Sequence, residues 1–181
     1  WISGVITTHG SWGVLFISIL EEVIAPIPST LTTMGAGFLL LVSYETLLSV
    51  FLPALIFVAV PIGFGMAIGG IFIYGLAYLG EEIIIDRWGK WFGISRESVD
   101  RLKDYFQSGY RDEMILLLLR GTPIFPNSLI SGVCGLIHYP IRSFFVVSFI
   151  GGVLRALPIA LLGWWLKEAY IEYAGVFSGL E

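Results

Sequence analysis

Glu21-Glu22-Val23-Ile24-Ala25-Pro26-Ile27-Pro28-Ser29-Thr30 interrupts an otherwise apolar sequence, and a second stretch repeats its plan. The second stretch is Arg120-Gly121-Thr122-Pro123-Ile124-Phe125-Pro126-Asn127-Ser128. With Glu22 laid on Arg120, Pro28 falls on Pro126, Leu31 on Leu129 and Gly37 on Gly135. Each copy opens on a charge, passes through prolines to small hydroxyl or amide residues, and ends in a Gly-containing apolar run. One copy carries acid where the other carries base.

The setting of these two stretches decides the class. The chain has 181 residues, of which 56% are hydrophobic and 13% charged, against about 25% charged in an ordinary soluble domain. Residues 23–44, 46–80 and 121–141 carry no charge at all. A helix that crosses the hydrocarbon core needs about 20 apolar residues, so these runs point to an all-α, polytopic membrane protein in a single domain. The chain starts at Trp1 rather than Met, so a piece of the N-terminus is expected to be missing or processed. Residues 1–20 lack the basic start and small-residue cleavage site of a signal peptide. The net charge of −4 gives no reason to expect nucleic acid. The lone Cys134 makes no internal disulfide. His9 and His138 have no partner at metal-ligand spacing, so no metal and no cofactor is expected.

Proline gives the paired stretches their physical meaning. Pro26, Pro28, Pro123 and Pro126 each remove a backbone donor and disfavour helix at the preceding residue. In lipid a freed amide or carbonyl costs several kcal/mol unless protein or water satisfies it. A break of this kind beside an acid therefore argues for a cavity. The apolar run after the first break, Leu31 to Val42, has half the length of a span. Residues 20–43 then read as a re-entrant hairpin, the alternative being a kinked full span, and residues 114–138 as its repeat.

Around these elements the chain lays out as follows. Trp12 to Leu20 is too short to span alone; it ends a helix begun before Trp1 or lies in the interface. The 35 uncharged residues of 46–80 would reach about 50 Å as helix, so two transmembrane helices are expected, over 46–61 and 63–80, jointed at Pro61-Ile62-Gly63. Gly65 and Gly69 form a Gly-x-x-x-Gly pair that allows close helix approach. Residues 81–113 hold six of the ten Lys+Arg, which places them on the cytoplasmic side. Within them, Ser95 caps an amphipathic helix with Val99, Leu102, Tyr105 and Phe106 on one face, ending near Gly109. Trp88, Trp91 and Phe92 suit the headgroup layer. A last transmembrane helix is expected over 141–166, closed by interfacial Trp164 and Trp165, with Arg142 as an anchor near its start.

Glu21, Glu22, Arg120 and Arg155 are charges in or beside apolar runs. Such groups are costly in lipid and by default mark a substrate or ion pathway. Two broken hairpins inserted from opposite faces would bring their tips together near the midplane, the plan of inverted-repeat transporters. Arg can clamp a phosphate or carboxylate, and a glutamate set between burial and a nearby Arg can exchange a proton. Ser29, Thr30, Asn127 and Ser128 add polar ligands at the breaks. The competing reading makes Glu22 and Arg120 a static ion pair. Arg155 either lines the cavity or bonds one helix to another.

These residues resemble the DedA family, which shares its domain with the eukaryotic VTT proteins. The resemblance rests on Glu22 before Pro26-Ile27-Pro28-Ser29, the Gly-rich helix from Gly63 to Gly80, Arg120-Gly121-Thr122-Pro123, Ser131-Gly132, Phe144, and Gly151-Gly152. It covers nearly the whole chain. It implies two facing re-entrant hairpins in a multi-pass protein of the cell membrane, and a role in moving lipids between leaflets: polyprenyl phosphate or phosphatidylethanolamine in bacterial members, with dependence on the proton gradient. A flippase- or scramblase-like translocase is thus the expected function, with Glu22 or Glu21 as the essential hairpin acid and Arg120 as the essential base. A homo-oligomer is compatible with this. The alternatives are a proton- or ion-coupled carrier of small solutes and a structural membrane protein. No Ser/His/Asp set, metal cluster or phosphate loop suggests an enzyme. Two positions depart from the family pattern: Thr30 stands where many members have a second acid, and Pro126 where many have a second Arg.

Overall fold

A computed structural model describes residues 2–24, 29–83, 95–106, 109–122 and 125–178, with side chains of the last helix described as far as Leu166. Pro26, Pro28, Pro123, Trp88, Trp91 and Phe92 lie outside the described residues. Everything described is helix or short connection. Helices α1 (Ile2–His9) and α2 (Ser11–Val23) meet at Gly10, whose φ of 56° is a backbone state open to glycine. Helix α3 spans Ser29–Leu40, and α4 runs over Leu47–Leu79. Thr46 caps α4, its hydroxyl accepting from the Ser49 amide at 3.3 Å. Glu81–Ile83 is helical as well, up to the last residue described there. Then come α5 (Arg96–Tyr105), α6 (Tyr110–Gly121), α7 (Asn127–Leu136) and α8 (Ile141–Ser178).

The joint expected at Pro61-Ile62-Gly63 is absent, and α4 replaces the two helices expected over 46–61 and 63–80. Pro61 cannot donate, and its ring crowds the carbonyl one turn back. The helix accommodates this by widening into a π-segment over Ala54–Ala59, where the Val60 amide reaches the Leu55 carbonyl. The chain therefore passes the proline without breaking. Two further boundaries move. Helix α5 ends at Tyr105 rather than near Gly109, and the backbone of α8 continues past residue 166 to Ser178. The cap of α5 is the expected one: Ser95 Oγ accepts from the Ser98 amide at 3.1 Å.

Among the described residues, two helices are long and apolar enough to cross a membrane, Leu47–Leu79 and Ile141–Leu166. The uncharged runs 23–44 and 121–141 instead contain α3 and α7, of 12 and 10 residues. At 1.5 Å per residue these reach about 18 and 15 Å, short of the ~30 Å hydrocarbon core.

The apolar core is in two parts. One gathers Ile6, Val14, Ile17 and Ala36 with Val50 and Val58 of α4 and Ala160 and Trp164 of α8. The other gathers Val99, Leu116 and Cys134 with Tyr74 of α4 and Phe144 and Val147 of α8. The first core meets the start of α4 and the far part of α8; the second meets them in the reverse order. The two long helices are therefore antiparallel. They cross where Gly63 faces Gly152, at a separation no side chain could share. Phe64 and Phe149 pack beside the crossing, their rings tilted 44° with centroids 4.5 Å apart.

The shorter helices distribute over this pair in a regular way. Helix α2 packs on α4 and α3 on α8, while α6 packs on α8 and α7 on α4. Glycine sets the close approaches: Gly65 and Gly69 of α4 take Ser18 and Glu22 of α2, and Gly151 of α8 takes Arg120 of α6.

Candidate functional site

Between the two cores the helices present charge instead of hydrocarbon. Arg120, at the end of α6, has no exposed surface, and Glu22, near the end of α2, is 6% exposed. The structure brings them together: Arg120 Nη1 lies 3.7 Å from Glu22 Oε1. That is too long for a hydrogen bond, and Ser131 of α7 closes the gap. Arg120 Nη2 donates to Ser131 Oγ at 2.7 Å, and Ser131 Oγ lies 2.9 Å from Glu22 Oε1, within donating distance. The guanidinium also lies over the Phe144 ring, 4.8 Å from its centroid. A buried charge pair must offset the loss of its hydration by good geometry and further hydrogen bonds. Here a hydroxyl, an aromatic face and the carboxylate share that task, while Arg120 Nε and Nη1 have no hydrogen-bond partner among the described residues.

Beside this pair opens a cavity of about 100 Å³. Its walls are Glu21, Glu22 and Ser18 of α2, Ser29 and Thr33 of α3, Ile62 and Met66 of α4, and Gly152 and Arg155 of α8. Pro126, Asn127 and Ser128 complete it from the start of α7. Along α4 and α8 it falls between the residues given to the two cores. Arg155 Nη2 donates to Ser29 Oγ at 3.1 Å, and Ser18 Oγ donates to the Ile62 carbonyl at 3.2 Å. Three wall atoms are buried without a hydrogen-bond partner among the described residues: Glu21 Oε1, Asn127 Oδ1 and Arg155 Nη1. Unsatisfied buried polar atoms are costly and call for a functional account. Here an acid, an amide oxygen and a guanidinium nitrogen converge on one space.

The register read from sequence persists in the geometry. Ser29 and Asn127 are equivalent positions; Asn127 is the first residue of α7 and Ser29 the first described residue of α3. Four residues on, Thr33 Oγ1 donates to the Ser29 carbonyl at 2.8 Å, and Ser131 Oγ lies 3.0 Å from the Asn127 carbonyl. Gly37 and Gly135 are equivalent too. Each lies flush against a backbone carbonyl, Gly37 on Ala160 of α8 and Gly135 on Tyr74 of α4.

Of the residues singled out from sequence, Glu21, Glu22, Ser29, Pro126, Asn127, Ser128 and Arg155 meet at the cavity, and Arg120 meets Glu22 behind it. Thr30 is not on its wall. Ser131, Thr33, Ser18 and Met66 were missed as site residues. For two of them a signal existed, since Thr33 and Ser131 follow Ser29 and Asn127 by four residues and so share their helix face.

A second polar cluster lies beyond the end of α4. Glu81 accepts from Lys103 Nζ at 2.7 Å and pairs with His138 Nε2 at 2.9 Å. The His138 ring also packs at a tilt against Tyr78. The Lys103 ammonium, donating to the carboxylate, holds Glu81 below the usual carboxylate range; partial burial works against this and His138 adds to it. The cluster ties α5 and the turn after α7 to the end of α4.

Sequence comparison gives this arrangement its relatives. The profile of the VTT domain matches residues 27–165. The chain is 25% identical over 173 residues to "Undecaprenyl phosphate transporter A" of Staphylococcus aureus, covering 93% of this chain and 80% of that protein. It is 24% identical over 180 residues to an "Alkaline phosphatase-like protein" of Lactococcus lactis subsp. lactis, and likewise to one of subsp. cremoris, covering 96% of this chain and 78% of each. No solved structure matches the chain.

Proposed function

Because the chain belongs to the VTT-domain family, the DedA family of membrane proteins, we propose that it moves a phosphate-bearing lipid between the leaflets of a membrane. The observation that carries this reading is the cavity between the two apolar cores, where Glu21 Oε1, Asn127 Oδ1 and Arg155 Nη1 are buried without a hydrogen-bond partner among the described residues. A phosphate headgroup entering this place supplies the acceptor that Arg155 Nη1 lacks, while the lipid tail stays in hydrocarbon; the acceptors Glu21 Oε1 and Asn127 Oδ1 suit a donor, a phosphate hydroxyl or an ammonium. The S. aureus relative, named as an undecaprenyl phosphate transporter, makes polyprenyl phosphate the first candidate and phosphatidylethanolamine the second.

On this reading the two proline-broken stretches are re-entrant hairpins in an inverted repeat. Support comes from the exchange of partners, α2 and α7 on α4 against α3 and α6 on α8, and from the matched positions Ser29/Asn127, Thr33/Ser131 and Gly37/Gly135. The protein is then multi-pass in the cell membrane, with 81–113 in the cytoplasm. Glu22 and Arg120 hold the two hairpins at fixed separation, and Glu21 is the acid placed to exchange a proton with the cavity.

The test is transport of polyprenyl phosphate and of labelled phosphatidylethanolamine in liposomes carrying the purified chain, with and without a proton gradient. Transport by the wild type that falls at least tenfold in Glu21→Gln and Arg155→Gln is expected. Wild-type vesicles no faster than empty ones for either lipid would sink the proposal. Uptake of inorganic phosphate instead would point to a small-solute carrier, and release of inorganic phosphate from the lipid would follow the name of the L. lactis relatives.

A further inference from the structure

We infer that Arg155, anchored by Ser29 between the first turns of α3 and α7, is the cation that meets the phosphate, and that Arg120 is fixed wall. This deepens the lipid-phosphate reading and rests on it. The two arginines sit in different physical situations. Arg120 has no exposed surface and does not line the cavity. Its Nη2 is committed to Ser131 while Nε and Nη1 have no hydrogen-bond partner among the described residues, its charge faces Glu22, its plane lies over Phe144, and its Cβ rests above Gly151, so what sets it apart is enclosure away from the cavity. To reach a ligand it would have to leave Glu22 as an uncompensated buried charge, which is strongly unfavourable.

Arg155 is only partly buried and lines the cavity. Its Nη2 is held by Ser29 Oγ, and its Nη1 has no partner among the described residues. A guanidinium offers five donors in a fixed fork. One arm is thus anchored while the other is unused, so an anion can be taken without breaking a bond. The backbone around it favours the same charge. Asn127 begins α7, Ser29 is the first described residue of α3, and both line the cavity. First-turn amides have no partner inside their own helix, and helix N-termini carry partial positive charge. Glu21 stands on the same wall. Its carboxylate opposes an anion, so its neutralisation should strengthen binding.

The experiment follows thermal unfolding of the purified full chain in detergent against increasing inorganic phosphate, and separately against dihexanoyl phosphatidic acid. The first arm reads free phosphate, the second the same group on a lipid. In whichever arm stabilises the wild type, Arg155→Gln should raise the apparent Kd about tenfold or more, the loss of a charge-assisted bond. Arg155→Lys should fall between, keeping the charge without the fork. Ser29→Ala should cost roughly threefold, and Glu21→Gln should tighten binding at neutral pH. Arg120→Lys should lower the melting temperature yet keep the phosphate-induced rise. No stabilisation of the wild type by either compound overturns the phosphate reading itself. A wild-type response that Arg155→Gln, Arg155→Lys and Ser29→Ala all leave unchanged overturns the assignment to Arg155 and leaves that reading standing. Loss of the response only in Arg120→Lys would return the role to Arg120.

Discussion

Gly151 lies directly beneath Arg120: a Cβ at position 151 would fall 2.8 Å from the Arg120 Cβ. The matching contact on the other side is Gly69 beneath Glu22, where a Cβ would fall 2.7 Å away. Each charge of the buried pair is seated on a glycine of a long helix, which fixes the depth to which it enters. Gly151→Val should push α6 from α8 and lengthen the Arg120–Glu22 separation, at a cost of about 1–3 kcal/mol from overpacking. Melting of the purified variant in detergent checks this. An unchanged midpoint would mean that the helices shift apart freely.

Ser131 carries the contact between Glu22 and Arg120, since the ion pair itself is 3.7 Å long. Ser131→Ala should destabilise the protein by about 1–3 kcal/mol, leaving two charged partners unsatisfied. Arg120→Met alone should cost about 3–5 kcal/mol by stranding Glu22. Arg120→Met with Glu22→Leu should recover a large part of that loss. If the double variant is as unstable as the sum of the single ones, the two residues are not coupled.

Gly37 and Gly135 should behave alike although 98 positions separate them, because each abuts a carbonyl of a long helix. Alanine at either should destabilise by about 1–3 kcal/mol. Alanine at Gly35 or Gly132, where a Cβ would meet nothing within 4 Å, should be neutral or slightly stabilising through helix propensity. The four melting curves decide it; equal effects at all four positions would refute the packing argument.

Glu81 predicts an acid-sensitive junction. Its carboxyl is held below the ordinary value of 4.5, chiefly by Lys103. A depressed carboxylate contributes stability above its unfolded value, and that contribution is lost as pH falls through the folded value. The tie should therefore hold at neutral pH and weaken below about pH 4.5, by about 1 kcal/mol or less for a partly exposed pair. Melting between pH 7 and 3.5 should show a component missing in Glu81→Gln. The same pH slope in both proteins would exclude it.

The placement of residues 81–113 has its own check. The native cysteine, Cys134, is buried, so a cysteine at exposed Asp104 supplies the reactive thiol. In sealed inside-out vesicles it should react with an impermeant maleimide, and in right-side-out vesicles it should not. The reverse pattern would overturn the assignment drawn from the basic residues.

The sequence by itself determined the class and the pair of elements. Composition and uncharged runs dictated membrane helices, because hydrocarbon tolerates neither charge nor open backbone. The offset between Glu22 and Arg120 also placed Ser29 against Asn127 and Gly37 against Gly135, positions that prove equivalent in their contacts. What periodicity and proline rules misjudged was α4. Whether a proline breaks a helix depends on whether the turn before it can widen, and the π-segment at Ala54–Ala59 does so here. Only the tertiary structure decided which charges share a wall. Adjacent glutamates point about 100° apart on a helix, so Glu22 turns to Arg120 and Ser131 at the edge of the cavity, while Glu21 lines it without contacting that pair. That division depends on how α2 sits against Gly65 and Gly69 of α4. Spacing along the chain carries no information about such a rotation, because it arises from contacts between residues more than forty positions apart.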